Sequence, residues 1–135
     1  MEFKLNIGDP KSGKTAKAVL ANDQCKPLLN KKLGDHVKGD EIGYPGYDFE
    51  IAGGSDYCGF PMRRDVMGVA RKRILIVTGT GIRKNLPGRK VRKSVAGNTI
   101  YPNTAQVNLK VLKHGHAPLF EEVKKEEAAA EEKAE

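Results

Sequence analysis

The sequence predicts a mostly β fold, a small β-barrel-like single domain with one or two short helical turns and a polar C-terminal tail. Apolar residues alternate with polar ones in several short runs, and most of the 15 Gly and 7 Pro fall between those runs. A chain of 135 residues with 39% hydrophobic content supplies one modest core. We expect a β-rich domain over residues 1–118 and an acidic Glu/Lys/Ala tail, helical or disordered, over residues 119–135.

The N-terminal elements are a predicted β-hairpin and a short helical segment. Apolar and polar residues alternate over residues 3–7, the sequence DPKSGK supplies turn residues, and a second apolar run covers residues 16–21. The sequence QCKPLLNKKL at 24–33 predicts a helical turn or two that ends at Gly34, since glycine tolerates the left-handed conformation found after helices.

The later elements are three candidate strands and one long loop. Alternation places Tyr47, Phe49 and Ile51 on one face of a strand, and the sequence QVNLKVL predicts a last strand in the same way. The run RKRILIVT at 71–78 is typical of a buried strand with a basic entry. Residues 79–99 are rich in Gly, Arg and Lys without apolar periodicity, which predicts a loop that becomes ordered on binding.

Positive charge is concentrated in one segment of the chain. Residues 63–93 carry 11 Lys/Arg against one Asp/Glu, net +10, whereas residues 1–62 carry 8 against 9, net −1. Residues 121–135 carry 3 Lys against 7 Glu, net −4. A basic segment of this density repels itself unless a polyanion neutralises it, and nucleic acid is the commonest such partner.

The basic residues form clusters separated by Gly and Pro, so that each cluster can meet a different phosphate. Arg outnumbers Lys by seven to four, and the planar guanidinium holds phosphate bidentately. Structured RNA is favoured over DNA because no amphipathic recognition helix is visible. The candidate RNA-binding cations are Arg63, Arg64, Arg71, Lys72, Arg73, Arg83, Lys84, Arg89, Lys90, Arg92 and Lys93.

GDPKSGKT at 8–15 matches the phosphate-loop pattern GxxxxGK[ST] and would place Lys14 and Thr15 on a bound nucleotide. Pro10 removes an amide from a loop whose purpose is to present amides, and no later strand ends in the Asp that would help to hold magnesium. Asp9, Pro10 and Gly13 are equally good hairpin-turn residues. An NTPase is therefore a remote alternative.

Other signatures of chemistry are weak, and we predict no enzyme, no catalytic residue, no cofactor and no small-molecule substrate. GTGIRK at 79–84 lacks the third glycine of a dinucleotide loop, and His114 and His116 have no further ligand at metal-binding spacing. Cys25 and Cys58 form no CxxC pair and are interpreted as free thiols, although a disulfide between them stays open. No apolar stretch is long enough for a signal peptide or a membrane span, which predicts a cytoplasmic protein.

The string GGSDYCGFPMRRDV at 53–66 resembles the signature of the archaeal and eukaryotic small-subunit ribosomal protein S6e family. The similarity covers about residues 2–116, because RKRILI, RKSVAGNTI and VNLKVLKHG follow in the family's order, and DPKSGK is similar to its opening hairpin. The signature residues are Gly53, Gly54, Asp56, Gly59, Pro61 and Met62. Ala96 departs from the pattern, which usually has Arg there, and the acidic tail departs from the long basic extension of eukaryotic members, so the short form looks archaeal.

The resemblance implies a β-barrel-like domain that binds small-subunit ribosomal RNA beside neighbouring ribosomal proteins, with a role in assembly and architecture. Phe60 follows Gly59 on a stiff segment beside two arginines, which makes it a candidate stacking platform for RNA; packing at the end of the barrel is an equally good interpretation. A free-standing regulator that binds structured RNA outside the ribosome is the main alternative function.

Overall fold

The computed structural model describes residues 2–83, 87–115 and 119, and β-strands dominate it. The mostly β prediction is therefore confirmed. Within the described residues, no helix is long and apolar enough to cross a membrane. The elements in chain order are β1 (Glu2–Gly8), β2 (Thr15–Ala21), the 3-10 helix η1 (Asn22–Leu28), β3 (His36–Lys38), the 3-10 helix η2 (Gly39–Ile42), β4 (Asp48–Asp56), β5 (Lys72–Ile76), β6 (Val91–Val95) and β7 (Thr104–Lys113).

The main sheet has five strands in the order β2-β1-β7-β4-β3. β1 and β7 are parallel, and the other neighbours are antiparallel. The expectation of a barrel is corrected, since the sheet is open. Its edge strand β3 is only three residues long and pairs with β4, and among the described residues no ladder joins it to the opposite edge strand β2.

One face of the main sheet forms the core. Phe3, Leu5 and Ile7 of β1 are each 0% exposed, and the parallel register sets Leu5 beside Val107 and Ile7 beside Leu109. The alternation predicted for these two strands and for residues 47–51 is confirmed, because a strand with one buried face must repeat its apolar residues every second position.

The two 3-10 helices and the segment after β6 supply the rest of the core. Cys25, Leu28, Ile42 and Ile100 belong to the same buried cluster as the sheet residues, and Leu119 also packs there. The helical segment predicted at 24–33 occurs earlier and ends sooner. After Leu28 the chain makes a turn in which Asn30 takes a positive φ of 63°, and Asn30 N donates to Ile100 O at 3.0 Å in place of a helical bond.

β5 and β6 form a separate antiparallel two-stranded ribbon, named here the basic ribbon. The strand predicted at 71–78 is present as β5, but the prediction that it is buried is wrong, since Leu75 is 54% exposed while Ile76 is 7% exposed. A ribbon of two strands can turn only one face toward the body. The prediction of an unstructured loop at 79–99 is also wrong in part, because Val91–Val95 is a strand and Val95 and Ala96 are buried.

The GDPKSGKT segment is a hairpin turn. Thr15–Ala21 continues as a strand paired with β1, whereas a phosphate loop must lead into a helix that aims its amides at the phosphates. Asp9 N donates to Lys14 O at 3.0 Å, and Gly13 takes a positive φ of 69°. This geometry removes the NTPase interpretation.

The Asp9 carboxylate holds that turn. It accepts a hydrogen bond from Lys11 N at 2.9 Å and lies 3.4 Å from Nε2 of His114. Burial raises the pKa of Asp9, but hydrogen bonds from the Ser12 hydroxyl and two turn amides, together with the charge of His114, outweigh it and the net pKa is lowered below 3.8. The fold therefore favours the charged form.

Asp9→Asn should reduce the free energy of unfolding at pH 7, and the difference from wild type should shrink as the pH falls below about 4. A carboxyl whose folded-state pKa is depressed contributes stability above its unfolded pKa and loses that contribution as the pH falls through the folded value. Urea unfolding at pH 7, 5 and 3 measures the effect, with Asp23→Asn at an exposed ion pair as control. A difference that grows toward low pH would contradict the assignment.

Candidate RNA-binding interface

The GGSDYCGFPMRRDV signature joins the main sheet to the basic ribbon. Met62 N donates to Gly54 O at 2.9 Å, and an isolated bridge pairs Met62 with Ala96, directly after β6. A Cβ on Gly54 would lie 2.5 Å from the carbonyl oxygen of Gln106, so this position excludes a side chain. Gly53 has no such restriction, since its nearest neighbour would lie 3.8 Å away.

The turn that follows β4 is built around Asp56. Its side chain is 1% exposed, and its Oδ1 accepts hydrogen bonds from Cys58 N at 2.9 Å and Phe60 N at 3.0 Å. Gly59 takes the positive φ of 83° that closes this turn, and the amide of Ala96 donates to the Pro61 carbonyl oxygen at 2.9 Å. Asp56, Gly59 and Pro61 thus hold the conformation of this turn and its contact with the end of β6.

Arg71 completes this turn from the side of the ribbon. Its Nε donates a hydrogen bond to Oδ2 of Asp56. This bond is the largest cause of the raised pKa of Arg71, so the guanidinium stays positively charged. Its guanidinium carbon lies 4.9 Å from the ring centroid of Tyr57 and 4.9 Å from that of Phe60. Arg71, predicted as an RNA contact, is therefore first of all a structural cation at the base of the ribbon.

Phe60 lies half-buried with Arg71 over its ring. The aromatic side chain that this turn exposes is Tyr57, at 65%, which the sequence interpretation passed over. The signal was present, because an aromatic residue in the otherwise small and polar run SDYCG has no apolar neighbour in sequence to pack against.

Two further predicted contacts are already paired with carboxylates. Arg63 donates from Nε and Nη2 to Asp65, at 3.0 and 2.5 Å, and from Nη1 to Thr80 O at 3.2 Å, which ties the start of the ribbon's connecting loop to the signature. Arg64 donates to Glu50 Oε1 at 3.0 Å. These arginines line a cavity of about 340 Å³. Their carboxylate partners neutralise most of the positive charge that they bring to it.

The remaining described cations of the segment are exposed and form no ion pair with any carboxylate in the described part of the chain. Lys84, the other predicted contact, lies outside the described residues. These seven cations, named here the exposed cations, are Lys72, Arg73, Arg83, Arg89, Lys90, Arg92 and Lys93.

The ribbon distributes four of the exposed cations over two faces. Arg73 pairs with Ser94 and Leu75 with Arg92, which sets Arg73 and Arg92 on one face. Lys72 and Lys93 belong to the other face, since Lys72 pairs with Val95 and Ile74 with Lys93. The second face also carries the buried residues Ile76 and Val95, so it is the face turned toward the body, whereas Arg73 and Arg92 lie on the outer face. All four cations remain exposed to solvent.

No cofactor chemistry emerges from these contacts. In the ranges 2–83, 87–115 and 119, no three His, Cys, Asp or Glu side chains come together as a metal site. His114 contacts Asp9, and His116 lies outside the described residues. Cys25 is buried and Cys58 exposed, both as free thiols.

Comparison with known proteins agrees with this arrangement. The family model described as ribosomal protein S6e matches residues 3–124. Small ribosomal subunit protein eS6 of Archaeoglobus fulgidus is 40% identical over 128 residues, which cover 94% of this chain and 99% of that protein. The Methanoculleus marisnigri protein of the same name is 37% identical over 96% of this chain and 98% of its own length. The Methanococcus maripaludis protein, again of that name, is 40% identical over 88% of this chain and 94% of its own length. By these matches the chain belongs to the ribosomal protein S6e family.

Proposed function

We propose that this chain is a structural constituent of the small ribosomal subunit that binds ribosomal RNA through the exposed cations of its basic ribbon and supports subunit assembly and translation. Family membership supports the structural, non-enzymatic role and a place in the ribosome in the cytoplasm. The observation that carries the RNA-binding mechanism is the set of seven exposed cations on one ribbon and its loop, without carboxylate partners among the described residues.

The mechanism is electrostatic. Each exposed cation that meets a phosphate releases a condensed counterion, so log affinity should fall linearly with log salt concentration. Seven such contacts would give a slope of roughly −5 to −6. Arg71 contributes indirectly, because its ion pair with Asp56 joins the start of the ribbon to the end of β4. Arg64 pairs with Glu50 of β4, and Arg63 joins the signature to the ribbon's connecting loop through Thr80 O.

The main alternative is a regulator that binds structured RNA outside the ribosome. The full chain, tagged and expressed in its native cells, should cosediment with small subunits in a sucrose gradient at low salt and leave them at high salt. Neighbouring ribosomal proteins should enter the same fractions. A chain that stays at the top of the gradient with free RNA would favour the regulator.

A further inference from the structure

Tyr57 is a large aromatic side chain that the fold leaves 65% exposed. Its position is well defined. Its amide donates to Asn103 O at 3.0 Å, and the preceding residue, Asp56, holds the turn from a buried position. Tyrosine is enriched at interfaces, so an exposed tyrosine on a hydrogen-bonded turn is a candidate contact when its neighbours suit a definite partner.

Arg71 gives the ring a support on one side. Its guanidinium carbon lies over both the Tyr57 and the Phe60 ring, 4.9 Å from each centroid, and Asp56 holds it there through Nε. Of these two rings, Phe60 is half-buried and Tyr57 is the exposed one.

We propose that Tyr57 stacks on an unpaired base of the bound RNA, an inference that rests on the proposed function. The charge around the ring favours a nucleic acid over an apolar protein surface. Asp56 is neutralised by Arg71, and the next two residues, Lys72 and Arg73, are exposed cations. A base can stack on the exposed surface of the Tyr57 ring while these cations meet the flanking phosphates.

The base must be unpaired. Within an A-form duplex each base is covered by its neighbours, and the wide minor groove shows only base edges and 2′-hydroxyls, so a tyrosine ring finds no π-face there. Loops, bulges and strand ends supply bases that can be splayed out. Stacking tolerates any base, so the contact adds affinity for single-stranded positions without reading sequence.

The test compares full-length wild type with Tyr57→Leu and Tyr57→Phe on two RNA probes at fixed salt. One probe is a hairpin with an adenine-rich loop that carries 2-aminopurine, and the other is a blunt duplex of the same stem. Val19→Ala, at a position on β2 that is 60% exposed, serves as the control for loss of an exposed apolar side chain. Thermal melting of each variant reports the fold.

Tyr57→Leu should bind the hairpin about tenfold more weakly and the duplex within about twofold of wild type, with an unchanged salt slope because no charge is lost. Tyr57→Phe should retain hairpin affinity, and 2-aminopurine should be quenched by wild type and Tyr57→Phe but not by Tyr57→Leu. Equal hairpin affinities for wild type and Tyr57→Leu would overturn base stacking and favour a protein contact at this ring. Failure of wild type to bind either probe would overturn the proposed function, and this inference with it.

Discussion

Replacement of Arg89, Lys90, Arg92 and Lys93 by glutamine should weaken binding of a structured RNA by about two to three orders of magnitude at 0.15 M salt. All four side chains are exposed and have no carboxylate partner in the described ranges. Each phosphate contact contributes about 0.9 to the slope of log affinity against log salt, so the slope should become shallower by about 3 to 4. A salt titration of RNA affinity measures both quantities.

The control removes the same charge from the opposite part of the molecule. Lys4, Lys11, Lys17 and Lys38 are exposed on the main sheet and its first turn, and their replacement by glutamine also removes four positive charges from a net +7. This variant should keep nearly the wild-type slope. Equal losses in the two variants would mean that RNA responds to net charge alone, and the ribbon would not be the contact surface.

The affinity loss should be nearly the same for any structured RNA. Phosphate contacts fix position and carry no sequence information, so their removal lowers affinity uniformly. The ribbon should stay folded, because Arg92 and Lys93 are exposed whereas Val95 is fully buried. A lowered melting temperature would instead place these residues in the packing of the ribbon.

The main sheet could be predicted from sequence because its strands have one buried face. Phe3, Leu5 and Ile7 alternate with polar residues over a single short stretch, and the turn residues between β1 and β2 are adjacent to them. Such a signal is local. The local pattern does not show that β1 pairs in parallel with β7, about a hundred residues later in the chain. It also does not show that the sheet stays open.

The basic ribbon could not be predicted in the same way. The apolar run at 74–77 is typical of a strand buried on both faces. Among the described residues, however, it pairs only with β6, where Arg92 and Lys93 interrupt any apolar alternation. The bridge between Met62 and Ala96 fixes this strand at its base, and that contact spans 34 positions. Tertiary contacts therefore make a strand of a segment whose local sequence pattern is that of a loop.

The candidate site was predicted as a segment but not residue by residue. Charge clustering selects the segment between 63 and 93, and it cannot separate Arg71 from Arg73. The difference is Asp56, 15 positions earlier in the chain, which binds Arg71 and leaves Arg73 exposed. The spacing of the cations along the chain carries no information on such partners. The sequence pattern therefore predicted RNA binding for both arginines, although Arg71 binds a carboxylate and Arg73 is exposed.

Asp56→Ala should lower the free energy of unfolding by about 3 kcal/mol. The change removes the buried acceptor of the amides of Cys58 and Phe60 and the carboxylate that binds Arg71. The turn amides and the guanidinium would then lack their partner in a site where water replaces it poorly. Asp56→Asn should cost less, because the amide oxygen still accepts from the two backbone groups.

The same strand supplies the control, since β4 begins at Asp48 and ends at Asp56. Asp48 pairs with Lys113 at 3.2 Å, but the two side chains are 37% and 78% exposed, so Asp48→Ala should cost less than about 1 kcal/mol. Urea unfolding followed by far-ultraviolet circular dichroism gives both values. If the two alanine variants were equally stable, the carboxylate at the end of β4 would not be what holds the turn, Arg71 and the exposed ring of Tyr57 in place. A large loss at Asp56 alone would mean that one buried side chain of the signature sets the geometry of the proposed RNA-binding surface around Tyr57.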